Sequence, residues 1–172
     1  MLFVNNPALA GIKRTIRPNY AWSQATPNDA KLDPNWDRSV PVYPGMVFMK
    51  TRGNAVTLIN GTGDPYGLVG IYLGGDGIDE CLPSGNNSCP VWVLGPDSEF
   101  EILAPAFDTE ASWVDPADGT VALVHAHTTG AKRGKLCPAG TVGASTLPVA
   151  RLIRVDSANK IVVGGLNVVD AI

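Results

Sequence analysis

Helical periodicity is almost absent from this chain: no stretch repeats its apolar residues at helical spacing over three turns. Long hydrophobic runs are missing too. None approaches the roughly 20 apolar residues that a membrane-spanning helix needs, so no membrane partner is expected. Charge is sparse, at 17% of residues against about a quarter in ordinary domains. A net charge of -3 carries no general affinity for nucleic acid. Histidine occurs only at His125 and His127, and the three cysteines (Cys81, Cys89, Cys137) include no CxxC pair. That spacing matches none of the common structural zinc patterns.

Glycine and proline are what the chain has in excess, 19 and 14 in 172 residues, against roughly 12% for the two together. No collagen period accompanies them, and short apolar runs lie between them, so they mark turns in an all-β protein. Strands are predicted near 46–50, 55–59, 68–73, 91–94, 100–104, 121–126, 149–155 and 161–169. Each is rich in Val, Ile or aromatics and bounded by Gly, Pro, Asn or Asp. Asp108 to Asp115 is the one place where a short helical turn is expected. The predicted fold is a small Gly/Pro-rich β-barrel or sandwich over residues 42–172, preceded by an extended N-terminal arm, residues 1–41.

That leader carries Pro7, Pro18, Pro27, Pro34 and Pro41, each of which interrupts a helix by removing a donor and crowding the preceding turn. It also carries Tyr20, Trp22 and Trp36, and a merely disordered tail is poor in aromatics. The leader is therefore expected to fold against something, its own domain or a neighbour. Its start is basic, with Lys13, Arg14 and Arg17 all preceding the first acid, Asp29; Lys132, Arg133 and Lys135 form a second cluster. Met1-Leu2-Phe3-Val4 is too short for a secretory signal. The expectation is a soluble product made in the cytoplasm, with reduced thiols instead of a Cys81–Cys89 disulfide and no glycosylation at Asn60 or Asn86.

The sharpest enzymatic candidate is Gly119-Thr-Val-Ala-Leu-Val-His125-Ala-His127. Two histidines two apart on a strand share a face, so both imidazoles can reach one metal ion. The spacing resembles the start of the first cupin motif, which would imply a metal-dependent enzyme. The resemblance stops there. Ala131 and Lys132 stand where a cupin carries Glu, and Pro138-Ala-Gly140 is followed by Thr141, Val142 and Gly143 with no further histidine. Asp76, Asp79 and Glu80 sit in a Gly-rich turn without the EF-hand pattern. No phosphate-cradling glycine loop and no G-x-S-x-G are present. No cofactor, metal or catalytic set is expected.

A different resemblance spans most of the domain. Tyr43-Pro44-Gly45-Met46-Val47, Val56-Thr57-Leu58-Ile59-Asn60-Gly61 and Pro65-Tyr66-Gly67-Leu68-Val69-Gly70 carry it. So does Pro148-Val149-Ala150-Arg151-Leu152-Ile153-Arg154-Val155, which leads through a polar turn at 156–160 into Ile161-Val162-Val163. These runs resemble the capsid decoration, or cement, proteins of tailed bacteriophages, small Gly-rich β-domains that bind the outside of the expanded shell, commonly as trimers. The resemblance implies a non-enzymatic virion protein on the capsid exterior, with the major capsid protein as partner and a homotrimer as its assembly. Tyr20, Trp22 and Trp36 would then anchor the arm, since large aromatics dominate interface energetics. Arg14 and Arg17 would pair with capsid carboxylates. A receptor-facing β-module at a fibre base is the other virion role that fits such a domain.

Overall fold

A computed structural model describes residues 15–20, 26–35, 40, 42–51, 55–70 and 88–167. Its strands are β1 (Ile16–Tyr20), β2 (Thr26–Leu32), β3 (Val47–Lys50), β4 (Ala55–Leu58), β5 (Gly67–Val69) and β6 (Ser88–Val93). They continue with β7 (Glu99–Leu103), β8 (Ala122–Ala126), β9 (Leu136–Pro138), β10 (Ala150–Ser157) and β11 (Lys160–Gly164). Among the described residues, helical geometry is confined to a 3-10 turn at Gly130–Lys132. The protein is all-β, as its turn-dense composition predicts.

The strands form two units. β2-β4-β3-β5-β6 close into a five-stranded barrel, and β1-β7-β11-β10-β8-β9 make an open six-stranded sheet. One core serves both. Phe48, Leu58 and Leu68 of the barrel cluster with Ile16, Phe100, Ile102, Leu136 and Ile161 of the sheet, all essentially inaccessible. Trp92 on β6 meets Phe100 on β7 with ring centroids 5.6 Å apart. Main-chain bonds add to the seam: Val47 N–H donates to Gly134 O at 2.8 Å and Gly61 N–H to Thr128 O at 3.3 Å. Gly45, at φ +98°, brings the entry to β3 against the sheet, where an added Cβ would stand 3.3 Å from Ala106 and Ile102. Its left-handed backbone and this approach together favour glycine.

Three strand pairings cross the expected arm–domain boundary at residue 41. β1 runs antiparallel to β7, with Ile16 opposite Ile102 and Pro18 opposite Phe100. β2 runs antiparallel to β6 from Thr26↔Val93 to Lys31↔Ser88, and parallel to β4 at Lys31↔Ala55 and Leu32↔Val56. Prolines that forbid a helix leave the extended conformation open, and a neighbouring strand edge then satisfies the backbone. Pro18 illustrates how. Leu103 N–H donates to Thr15 O, so alternation along β1 turns the backbone of Arg17 toward β7 and that of Pro18 outward. The missing amide falls on the open edge, where proline is tolerated.

The other departures are local. β9 is a strand that no sequence pattern announces. The helical turn expected from Asp108 to Asp115 is a hydrogen-bonded turn instead, because the Asp108 carboxylate takes the Glu110 N–H at 3.1 Å, a local competitor to helical pairing. β11 stops at Gly164, five residues short of the predicted end. A Cβ at Gly165 would stand 1.8 Å from Gly95 O, so the chain leaves the sheet through a contact only glycine fits. The Gly74–Gly77 turn, Asp76, Asp79, Glu80, Cys81 and the end of the strand predicted at 68–73 lie outside the described residues.

Because β1 belongs to the open sheet and β2 to the barrel, a chain shortened to residues 42–172 loses the strand that closes the barrel and one edge of the open sheet. Its urea unfolding is expected to lose cooperativity or shift to a much lower midpoint. An unchanged midpoint and slope would contradict this account of the leader.

Candidate functional site

The buried Asp108 and His127 meet at the β8–β9 end of the open sheet. β9 pairs with β8, placing Cys137 opposite His125 and Leu136 opposite Ala126. On the far side of β9 the chain at 106–108 runs alongside: Phe107 bridges Leu136 in parallel, and Asp108 N–H donates to Leu136 O at 2.8 Å. This brings the carboxylate of Asp108, only 5% exposed, beneath the loops that follow β8.

Asp108 is a hub. Its Oδ2 lies 2.9 Å from His127 Nε2, and Lys132 Nζ donates to both carboxylate oxygens at 2.8 and 3.0 Å. Lys132 also reaches Glu110 at 2.7 Å. Burial of Asp108 opposes its ionisation, but the hydrogen bonds from Lys132, His127 and the Glu110 N–H outweigh that penalty and hold its carboxyl below the ordinary range. The Asp108 carbonyl accepts the Trp113 Nε1–H at 2.7 Å, and the Trp113 ring stands edge-on to Phe107 with centroids 5.7 Å apart. One residue thus fixes the 108–113 turn through its side chain and its main chain.

The two histidines serve these loops. His125 Nδ1 lies 2.7 Å from the Ser145 carbonyl, which can only accept, so that nitrogen carries the proton. His127 is turned to Asp108. The Lys132 ammonium covers both carboxylate oxygens that a metal ion would use. Among the described residues no group of three or more His, Cys, Asp or Glu is arranged to hold a metal. Cys137 is buried, and burial pushes its thiol up to about 11, the Thr141 hydroxyl opposing this only in part. A thiol in that state is not a nucleophile at neutral pH.

What the hub supports is a surface. Trp113, Val114, Val121, Leu123, Pro138 and Leu152 line an open apolar groove of about 340 Å³. Val114 and Val121 are 70% and 51% exposed beside it. A rigid apolar patch with an indole in its wall is the composition of an interaction surface. The only sequence signal for it is Trp113-Val114, an apolar pair inside an acidic turn within the expected helical turn at Asp108 to Asp115.

The residues proposed from sequence for docking fare differently. Arg17 is exposed on β1. Tyr20 ends β1, and its side chain lies outside the described residues, as do Arg14, Trp22 and Trp36. Of this set, Arg17 alone has its side chain among the described residues.

A family model for the phage cement protein matches residues 2–171. The chain belongs to the phage cement protein family. Membership gives the cement protein a structural role associated with the capsid and a place in the virion. Among solved structures, a chain of "The capsid of Myoviridae Phage XM1" is similar over 89% of this chain and 86% of its own, at 15% identity and a TM-score of 0.49. No curated protein matches the chain.

The Asp108 hub predicts an acid limb in the stability of the cement protein. A carboxyl held low in the folded state contributes stability that is complete above its unfolded pKa, about 3.9. That contribution is lost as pH falls through the folded value. Asp108→Asn should cost about 1–3 kcal/mol near neutrality, with the difference from wild type shrinking below about pH 4. Thermal midpoints of both proteins across this range check it; a constant difference would contradict the assignment.

Proposed function

We propose that the cement protein binds the outer surface of the shell built by the major capsid protein and stabilises its expanded form. It acts as a homotrimer, with the N-terminal leader contacting capsid subunits. It is made in the host cytoplasm and has no catalytic role. The observation that carries this reading is the cement-family match over nearly the whole chain.

The physical argument supports it. A protein that binds the assembled shell in preference to free subunits stabilises the shell by mass action, without any bond-making chemistry. Such a protein needs a firm body and a reach across several subunits. The shared core supplies the first. The leader, with Trp22, Trp36 and Tyr20 as aromatic anchors and Arg14 and Arg17 as partners for capsid carboxylates, supplies the second. Arginine suits that task because its planar fork meets a carboxylate through two parallel bonds. Tethering the leader through β1 and β2 lowers the entropy that docking must overcome, compared with a free tail of equal length.

Co-sedimentation of the full-length protein with expanded shells tests the reading. Binding should saturate at a fixed ratio to the major capsid protein, and that ratio reports which symmetry positions are filled. Replacing both Trp22 and Trp36 by alanine should weaken binding by at least about tenfold, the size expected when interface anchors are removed. Absence of saturable binding to well-formed shells would overturn the proposal. Unchanged binding by the double variant would remove the leader from the interface.

A further inference from the structure

The groove beside Trp113 has a charge pattern that selects its occupant. Between Leu103 and Lys132 the chain carries no lysine or arginine but four acids, Asp108, Glu110, Asp115 and Asp118. Lys132 is bonded to the first two. Asp115 and Asp118 are exposed, lie within the stretch that joins Trp113 to Val121, and make no ion pair among the described residues. Asp115 is held in place, because its Oδ1 accepts the Val155 N–H of β10. The surface is thus an apolar floor with an uncompensated acidic rim.

The complement lies in the same sequence. From Met1 to Asn28 there is no acid, and Lys13, Arg14 and Arg17 are the only charged side chains, following Leu9 and Ile12. In an extended chain Leu9 and Lys13 share one side while Arg14 faces the other. We infer that the groove receives residues 9–13 of a neighbouring copy of the cement protein, with Leu9 against Trp113 and Val114 and Lys13 between Asp115 and Asp118. Arg14 is thereby left facing the shell. This rests on the reading of the protein as a ring-forming assembly and names the contact that closes the ring.

Topology favours a neighbour over the chain's own leader. The leader enters the described fold at Thr15, at the β1 edge, whereas the groove belongs to β8, β9 and β10 near the opposite edge. Four strand spacings, roughly 19 Å, separate β1 from β8. Between them lie the paired charges of Glu101, Lys160, Asp156 and Arg154. A contact from one edge of one copy to the opposite edge of the next is head-to-tail, and such contacts close into a ring where the rotation between copies closes. Pro18 removes a donor from the open edge of β1, so the copies are steered away from joining by sheet extension. Side-chain docking is the route left.

Carbodiimide coupling tests this directly, since it joins a lysine to a carboxylate only when the two are in contact. Full-length protein is mixed in equal parts with its ¹⁵N-labelled form, assembled in solution and on expanded shells, coupled, digested and analysed by mass spectrometry. The expected product is a Lys13–Asp115 or Lys13–Asp118 link containing one peptide of each label, lost in the Asp115→Asn/Asp118→Asn variant. A second readout is the assembly state by light scattering. Lys13→Glu should dissociate the ring, and combining it with Asp115→Lys/Asp118→Lys should restore it. Links confined to one label, or a ring that forms with neither the link nor any response to these charges, would overturn the inference and leave the ring standing. Monomers both in solution and on the shell would instead overturn the ring itself, and this inference with it.

Discussion

The fold turns on β2. The described residues form no α-helix and pair their backbone between strands, and the barrel closes because residues 26–32 lie between β4 and β6, parallel to the first and antiparallel to the second. Remove that strand and two edges open at once, each a row of unpaired donors and acceptors. The strand comes from the proline-rich leader, outside the run of obvious β-segments. The same leader supplies β1 at the edge of the open sheet. The described parts of the leader and the body are thus one hydrogen-bonded object.

Asp108 does for the surface what β2 does for the body. Its carboxylate gathers His127, Lys132 and the Glu110 amide, and its carbonyl positions the indole of Trp113. Polar groups buried this way are costly unless satisfied, and here His127, Lys132 and the Glu110 amide satisfy the carboxylate from segments that lie between strands. The consequence is an indole fixed in the groove wall by a hydrogen bond and a ring contact. The histidine pair that looked most like chemistry in the sequence belongs to this scaffold.

Much of the fold was legible because its cause is local. Runs such as Ala55–Leu58, Glu99–Leu103 and Ala150–Ser157 carry β-branched and apolar residues between turn formers, and they are strands. Residues 26–32, Thr-Pro-Asn-Asp-Ala-Lys-Leu, have no such composition; they are extended because β6 and β4 offer partners distant in sequence. Leu136–Pro138 is likewise too short to show a period. For the site, the sequence singled out aromatic and basic residues of the leader but not Trp113, whose role depends on Asp108 and Phe107 reaching it through the fold. Cys137 and His125 face each other across strands, a neighbourhood no spacing rule reveals.

The proposed reinforcement of the shell is tested most directly by calorimetry of expanded shells with and without saturating cement protein. The account predicts that the shell transition moves to higher temperature in proportion to the sites filled. It also predicts that the protein's own unfolding merges with that transition or follows it. A shell transition that stays at the same temperature at full occupancy would contradict the account, because binding would then exist without reinforcement.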